Sequence, residues 1–203
     1  MKVIAIGRNY TEHAKELNNP VPDEPVIFLK PDTAVSKNNR PFYIPDFSSD
    51  IHYEVELVLK VAKEGKHIAQ KFASKYYEEI GLGLDLTARD LQTKLKSKGL
   101  PWELAKGFDN SAPVSEFLPL SEFADKGDIN FSLTVNGDYK QRGNSKDMIF
   151  SFDQIIAFVS QYITLKKGDL IFTGTPVGVG RLNIGDKLVG YIEDKELLNI
   201  EVK

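Results

Sequence analysis

An α+β fold rich in strands is the class that the sequence predicts, and three observations indicate it. Many short segments alternate apolar and polar residues with a period of two, as half-buried strands do. Only four segments carry the start and stop signals of helices. Strands and helices do not alternate regularly, which disfavours a doubly wound parallel sheet. No repeat or polar linker interrupts the chain, so we predict one domain over residues 1–203.

The first part of the chain is predicted to form two strands, a helix and a long loop. Residues 2–6 read as a buried strand, and residues 25–29 form a second strand. Between them a helix begins with Asn9 as its cap and ends near Leu17. The segment 31–50 is rich in proline and polar residues, and a loop of this length is often a lid or a binding loop.

The central part contains the clearest alternation. Residues 52–61 (HYEVELVLKV) are predicted to form a strand. A helix is expected around residues 68–76, before a strand at 81–86 (GLGLDL). A further helix begins at Thr87 and ends before Gly99, because glycine commonly follows the last helical turn.

The last part combines a hairpin, a helix and further strands. An Asn-Gly turn at 136–137 joins strands predicted at 129–135 and 139–142. Ser151 begins an amphipathic helix with glutamine three residues later, which is the spacing of a capping box. From Asp169 onward the sequence indicates strands and turns punctuated by glycine.

Composition and charge exclude several classes of protein. The net charge of -3 gives no electrostatic reason to expect nucleic acid. No apolar run approaches the ~20 residues of a membrane span. The chain has no cysteine, which excludes disulfides, thiolate metal sites and cysteine nucleophiles. The amino-terminal sequence MKVIAIG reads as a strand and not as a signal peptide, so we expect a cytoplasmic protein.

Three carboxylates indicate a candidate metal site. Glu54 and Glu56 lie two apart on a predicted strand, so both project from one face, roughly 7 Å apart. A strand with two solvent-facing glutamates would have the same pattern. Asp85 lies in an apolar run, where an ionised carboxylate needs a cation or several donors; the following turn could supply such donors. Three oxygen ligands without cysteine suit Mg²⁺ or Mn²⁺.

Basic and amide side chains follow Asp85 along the chain. Arg89 and Gln92 are three apart and share a helical face close to Asp85. Arg89 could grip a substrate carboxylate bidentately, or it could pair with a structural acid. Lys106 follows the apolar residues Trp102 and Leu104, and a buried lysine needs an anionic partner.

Two further groups are candidates for chemistry and binding. His13 and Glu16 are three apart on a predicted helix, and a histidine oriented by a carboxylate can activate water. A surface pair would have the same spacing. Thr175 lies in a tight turn whose N–H groups and hydroxyl could bind a carboxylate, although a plain turn explains the sequence equally well.

The sequence resembles the fumarylacetoacetate hydrolase family over essentially its whole length. The resemblance rests on ordered blocks, of which single ones are weak signals but the set is specific. These blocks are GRNYTEHAKEL, FLKP, HYEVEL, LDLTARDLQ, KGLPWELAKGFD, VNG, MIFS and TGTPVGVG. KGLPWELAK and MIFS point to the small single-domain members, which include acylpyruvases that also decarboxylate oxaloacetate.

The resemblance implies a fold, a metal and roles for individual residues. The implied fold is a mixed β-roll of the fumarylacetoacetase C-terminal-domain type, usually in a homodimer. The implied ligands of Mg²⁺ or Mn²⁺ are Glu54, Glu56 and Asp85. The implied water-activating pair is His13 and Glu16. The positions that match substrate-contacting residues are Arg89, Gln92, Lys106 and Thr175, of which Lys106 and Arg89 would compensate negative charge.

The activity implied by the resemblance is hydrolysis of a carbon–carbon bond in a small 2-oxo acid of the acylpyruvate type. The metal would stabilise the enolate that leaves. Two other reactions share the same ligands: decarboxylation of oxaloacetate, and isomerisation or tautomerisation of an unsaturated oxo-dicarboxylate such as 2-hydroxyhepta-2,4-diene-1,7-dioate. An alternative from another class is a metal-stabilised binding module, which would not require His13, Glu16 or Lys106.

Overall fold

The computed structural model describes residues 1–16 and 20–203. Its four described α-helices are α1 (Thr11–Glu16), α2 (Arg89–Ser97), α3 (Glu103–Lys106) and α4 (Phe152–Tyr162). The strands are β1 (Val3–Gly7), β2 (Val26–Lys30), β3 (Val35–Ser36), β4 (Ile51–Tyr53), β5 (Val55–Val61), β6 (Tyr77–Leu84), β7 (Thr87–Ala88), β8 (Ala112–Pro113), β9 (Leu118–Pro119), β10 (Asn130–Val135), β11 (Asp138–Asn144), β12 (Leu170–Phe172), β13 (Gly180–Arg181), β14 (Lys187–Ile192) and β15 (Lys195–Glu201).

The strands form two principal sheets and two small ones. The larger sheet has the order β2-β1-β12-β5-β6-β9, in which β1 and β12 are parallel and the other neighbours are antiparallel. The second sheet, β11-β10-β14-β15, is antiparallel throughout. Small sheets of β13-β4-β7 and β3-β8 border them. The predicted strand-rich α+β fold is therefore confirmed.

Alternation along the central strands divides the interior into two cores. Leu57 and Leu59 belong to the larger apolar cluster, whereas Val58 between them belongs to the smaller one. The neighbouring strand β6 sends Leu82 and Leu84 into the larger cluster. Because side chains on a strand alternate between faces, the other face receives the even-numbered residues of β5 and the odd-numbered residues of β6.

The second sheet covers the larger core. Phe131 and Leu133 of β10, with Ile200 of β15, pack in the same cluster as the side chains of β5 and β6. Helix α4 adds Ile155 and Val159 to this cluster. The opposite face of the larger sheet is therefore left for the smaller core and for the polar groups at the strand ends.

Several predicted elements are confirmed at their expected places. The first strand, the strand in 81–86, the 136–137 turn and the last helix all form. Asn136 and the following glycine both have positive φ, as an Asn-Gly hairpin turn requires. Ser151 and Gln154 form the complete capping box of α4. The predicted end of the first helix near Leu17 lies outside the described residues.

Other predictions are corrected by the structure. The helix expected around 68–76 is a short 3-10 helix at Gln70–Lys75. Asn9 does not cap α1; its carboxamide bonds the Phe150 backbone and donates to the Thr173 carbonyl. In the loop 31–50, Phe42 pairs with the carboxy-terminal segment through backbone bonds, and no residue of the loop lines the cavity of the site described below. Within the described chain, no helix is long and apolar enough to cross a membrane.

Gly83 lets β5, β6 and β12 pack closely beneath the site. A Cβ at this position would lie 2.6 Å from Cζ of Phe172 and 2.8 Å from Cγ2 of Val58, and both side chains are fully buried. We expect Gly83→Ala to lower the free energy of unfolding by about 1–3 kcal/mol, because overpacking shifts its neighbours. Denaturant melts measure this loss. Gly127→Ala, where the Cβ meets only the exposed Asp125, is the control; equal losses in both variants would contradict the expectation.

Candidate active site

Three carboxylates lie close together where β5 begins and β6 ends. Glu54 lies in the break between β4 and β5, and Glu56 follows on the same face. Asp85 comes directly after β6, and its N–H donates to the carbonyl of Glu54 at 2.8 Å. One carboxylate oxygen from each residue lies within 4.8 Å of the others, and all three side chains are buried. The alternative of two solvent-facing glutamates on a half-buried strand is therefore wrong.

Two lysines supply positive charge to this acidic cluster. Nζ of Lys106 lies 2.9 Å from Oε2 of Glu54 and 2.6 Å from Oδ2 of Asp85, and it also donates to the Thr87 hydroxyl. Burial opposes the charge of Lys106, but Asp85 and Glu54 outweigh burial and raise its pKa. Nζ of Lys30 lies 2.7 Å from Oδ1 of Asp85. Both ammonium groups are therefore committed to the cluster.

Lys30 also belongs to the candidate site, although the sequence analysis gave it no role. Its ammonium also bonds backbone carbonyls of Leu86, Lys106 and Ser111. These bonds tie β2 to the segment after β6 and to α3. Burial lowers the pKa of Lys30, while the Asp85 charge acts in the opposite direction. The FLKP block marks the position, but the three carbonyl partners lie 56 or more residues away and no local pattern identifies them.

Arg89 joins the cluster from the first turn of α2. One of its terminal nitrogens contacts Oε1 of Glu54, and the other donates to Oε1 of Gln92 at 2.6 Å. The expected shared face of Arg89 and Gln92 is thus formed. Burial tends to raise the pKa of Glu54, but the Lys106 and Arg89 charges more than offset it and hold that pKa well below its ordinary value.

Glu56 differs from its two neighbours because it has no ion-pair partner among the residues that the structure describes. Its Oε2 accepts one bond from the N–H of Gly174 at 2.7 Å. Burial raises the pKa of Glu56 well above its ordinary range, and the charges of Asp85 and Glu54 raise it further. In addition, Oδ1 of Asp85 accepts no hydrogen bond in the described chain, although Lys30 is close. A divalent cation would satisfy these oxygens, so the donor set fits Mg²⁺ or Mn²⁺.

His13 and Glu16 form the expected pair at the opening of the site. Nδ1 of His13 lies 3.0 Å from Oε2 of Glu16, and the other Glu16 oxygen accepts a bond from the N–H of Gly178. His13 is 5% exposed. Because Nδ1 faces Glu16, the other ring nitrogen is the one available to a substrate.

Thr175 is held rigidly beside the carboxylates. Its hydroxyl donates to the carbonyl of Val55 at 2.9 Å and accepts from Nε2 of Gln141 at 2.8 Å. Gln141 also accepts from the N–H of Val55 and is 1% exposed. Sequence reasoning missed Gln141, because its role depends on β11 meeting a turn 34 residues later. The Thr175 hydroxyl proton is thus already donated within the protein.

A small cavity of about 40 Å³ opens onto the acidic cluster. It has room for roughly three water molecules. The predicted site residues that line it are Glu54, Glu56, Asp85, Arg89, Gln92, Lys106, His13 and Thr175. Glu16 stands behind His13. Residues not predicted but present in the wall include Arg8, Phe28 and Lys96. No residue of the 31–50 loop lines the cavity.

Comparison with known proteins identifies the family of the chain. The model of the fumarylacetoacetate (FAA) hydrolase C-terminal domain matches residues 2–203. The chain is 43% identical to the mitochondrial oxaloacetate tautomerase FAHD1 of Mus musculus, over 99% of this chain and 91% of that protein. It is 44% identical to a mitochondrial oxaloacetate decarboxylase of Dictyostelium discoideum, over 91% of this chain and 85% of that protein.

A solved structure is similar over the entire chain. This is fumarylpyruvate hydrolase from Pseudomonas aeruginosa in complex with Mn²⁺ and pyruvate, with a TM-score of 0.94 and 35% identity. The alignment covers 100% of this chain and 89% of that one. Proteins similar to this chain thus carry names for three reactions of 2-oxo acids: tautomerisation, decarboxylation and hydrolysis.

The raised pKa of Glu56 predicts that metal binding releases a proton. Without a cation, Glu56 keeps its proton above the ordinary glutamate pKa of about 4.3, and a metal must displace that proton. The apparent affinity for Mn²⁺ should therefore fall as the pH is lowered, by up to about tenfold per pH unit below the Glu56 pKa. Calorimetry in buffers of different ionisation enthalpy measures the released proton.

The control for this experiment is Glu79→Gln, which removes a half-exposed carboxylate paired with Lys60 on the neighbouring strands. This variant should release the same proton as the wild type. Glu56→Gln should lose both the proton release and most of the affinity. An affinity for Mn²⁺ that does not change with pH would contradict the expectation.

Proposed function

Because the chain belongs to the fumarylacetoacetate hydrolase family, we propose that it is a divalent-metal-dependent enzyme acting on a small 2-oxo acid, with the keto–enol tautomerisation of oxaloacetate as its reaction. Mg²⁺ or Mn²⁺ is the proposed metal, and Glu54, Glu56 and Asp85 are its proposed ligands. Decarboxylation of oxaloacetate would use the same groups.

The observation that carries the proposal is the buried Glu56 carboxyl in the cavity wall, which has no ion-pair partner among the residues that the structure describes. Lys106, Lys30 and Arg89 balance Glu54 and Asp85, whereas Glu56 has one backbone N–H. A buried carboxylate with so little support is unfavourable unless a cation completes its surroundings. When bound, a divalent cation would act as a Lewis acid toward the 2-oxo and carboxylate oxygens of the substrate.

His13 is the proposed base for tautomerisation. Its second ring nitrogen would take a proton from C3 of the keto form, and the C2 oxygen would gain a proton from water to give the enol. Glu16 would accept a hydrogen bond from Nδ1–H of His13, which fixes the tautomer and stabilises the charged ring that forms. The hydroxide left by that water then takes the proton from the charged ring, so His13 is neutral again after each turnover.

The cations beside the carboxylates would compensate the enolate charge that develops on the substrate. Lys106 is buried next to Glu54, and the Arg89 side chain beside it is 14% exposed, so both positive charges act more strongly there than in water. The Gln92 amide would orient the substrate, and the backbone around Thr175 would do the same. Oxaloacetate is favoured over other 2-oxo acids because relatives at 43% and 44% identity are named for reactions of oxaloacetate.

Hydrolysis of an acylpyruvate is the second candidate, and the His13–Glu16 pair favours it. His13 lines the cavity and contacts Glu16, and the N–H of Gly178 donates to the other oxygen of Glu16. His13 would take a proton from water as the water attacks the distal carbonyl. The carbon–carbon bond then breaks, its electron pair passes to the pyruvate fragment, and a carboxylic acid is released. The pyruvate fragment takes the proton that His13 holds, which gives pyruvate and restores the neutral ring. Isomerisation of an unsaturated oxo-dicarboxylate would need the proton transfer alone.

The assembly and the compartment are also part of the proposal. We propose that the protein is cytoplasmic. We also propose that it is a homodimer, as the family resemblance implies. The relatives of M. musculus and D. discoideum are named as mitochondrial proteins, so fractionation of the source cells is the relevant test. Sedimentation equilibrium measures the assembly.

Purified protein with Mg²⁺ or Mn²⁺ should accelerate the conversion of freshly dissolved enol-oxaloacetate to the keto form. The ultraviolet absorbance of the enol follows the reaction, and released CO₂ reports decarboxylation. Glu56→Gln should abolish the metal-dependent rate, while Glu79→Gln should keep it. If acetylpyruvate is hydrolysed and the enol decays at the uncatalysed rate, the second candidate replaces the first.

His13→Ala should separate the reactions that need a base from the one that does not. Tautomerisation and hydrolysis should each fall by about 10²–10⁴-fold, because general acid–base catalysis contributes that much. Decarboxylation of oxaloacetate should persist, since it moves no proton before CO₂ leaves. Mn²⁺ affinity should stay unchanged, because His13 is not a proposed ligand. A full rate of tautomerisation in this variant would exclude His13 as the base.

A further inference from the structure

Two cations in the wall of the cavity have no task in the reaction described above. Arg8 follows the end of β1, and Lys96 lies on the last turn of α2. Both line the same cavity as the acidic cluster. Lys96 is seven residues after Arg89, with Gln92 between them, so the three side chains share one face of the helix. The cavity therefore has positive groups at its rim as well as beside the carboxylates.

Arg8 has a strained backbone, and its side chain has no polar partner in the part of the chain that the structure describes. Its φ is +60°, a left-handed conformation that is unfavourable for a residue with a side chain. Its guanidinium makes no hydrogen bond or ion pair with any residue in 1–16 or 20–203. Strained residues of this kind cluster at binding sites, where the surrounding fold holds them in place. By contrast, Arg89 and Lys106 are engaged with Glu54 and Asp85.

The charges of Arg8 and Arg89 affect the pKa of Lys96. Burial lowers the pKa of Lys96, and the positive charges of Arg8 and Arg89 lower it further. Like charges gathered around one cleft raise the local concentration of anions. An anionic ligand would relieve the repulsion, and Arg8 offers a planar pair of donors that matches a carboxylate.

We propose that Arg8 and Lys96 bind the second carboxylate of a 2-oxo dicarboxylate and thereby select dianionic substrates over acylpyruvates that end in an uncharged group. This inference rests on the proposed function, because it assumes that the 2-oxo acid end occupies the acidic cluster. It assigns specificity to the end of β1 and the last turn of α2. The metal ligands take no part in that choice.

The same contact bears on which reaction follows. In decarboxylation the C3–C4 bond breaks, its electron pair stays on C3, and the carboxylate leaves as neutral CO₂. A cation that holds the carboxylate stabilises the starting anion more than the departing CO₂, which raises the barrier. In tautomerisation the carboxylate keeps its charge and the contact persists. Arg8 and Lys96 would thus favour tautomerisation of oxaloacetate over its decarboxylation.

A matched pair of ligands tests the assignment. 3,3-Dimethyloxaloacetate cannot enolise toward C3, and 3,3-dimethyl-2-oxobutyrate differs from it by a methyl group in place of the second carboxylate. Their inhibition constants are measured against oxaloacetate turnover in the Mg²⁺-loaded enzyme. Arg8→Gln and Lys96→Gln should each weaken the dicarboxylate by about tenfold, which corresponds to 1.4 kcal/mol. Neither variant should change the affinity of the monocarboxylate by more than about twofold.

Two controls separate a binding role from a structural one. Lys94→Gln removes the same charge from an exposed position of α2 outside the cavity wall, and it should leave both inhibition constants unchanged. Arg8→Lys should restore part of the dicarboxylate affinity. Lys96 is exposed, so Lys96→Gln keeps the test valid if Arg8→Gln does not fold. Equal losses for both ligands, or no loss for either, would overturn the proposal.

The ratio of CO₂ release to enol conversion provides an independent readout. This ratio should rise by about tenfold in Arg8→Gln and Lys96→Gln relative to the wild type. A ratio unchanged by both substitutions would overturn the assigned role in the partition. If the wild type itself does not act on oxaloacetate, the proposed function fails. If it acts and the variants behave like the wild type, only this inference fails.

Discussion

The balance of charge among Glu54, Glu56 and Asp85 constrains the structure around them. Burying three carboxylates within 4.8 Å of one another is unfavourable by several kcal/mol unless positive groups surround them. Lys106 and Lys30 therefore reach Asp85 from two different segments, and each contacts a different oxygen. These contacts tie β2, α3 and the end of β6 into one unit, so the fold and the electrostatics of the site depend on the same ion pairs.

Much of this region could be predicted because its signals are local. The alternation of residues 52–61 placed Glu54 and Glu56 on one face, and the structure shows Leu57 and Leu59 on the other. The apolar run around Asp85 marked it as a carboxylate in need of support. Each of these inferences uses a period of two or a run of neighbours, which the backbone imposes wherever the strand lies.

The remaining features depend on contacts between distant segments, which no local pattern encodes. Lys30, Gln141 and Asn9 meet their partners across 34 to 164 residues. Asn9 has the sequence signal of a helix cap. In the structure its carboxamide instead donates hydrogen bonds to the backbone carbonyls of Thr173 and Phe150, because the fold brings these segments together. Tertiary contact overrides the local preference in that case. The short helix α3, four residues long, also left no periodic signal to detect.

The position of each group determines which changes the site can tolerate. The carboxylates and their lysines are buried, and Glu54 and Asp85 share Lys106, so altering one of these groups leaves another charge uncompensated. The groups that would choose a reaction or a substrate lie outside this unit: His13 on α1, Arg8 after β1, and Lys96 at the end of α2. They contact the cavity without supporting the ion pairs. Under the proposed function, one acidic cluster would serve tautomerisation, decarboxylation and hydrolysis alike, because the enolate chemistry would belong to the buried unit and the choice among reactions to the groups around it.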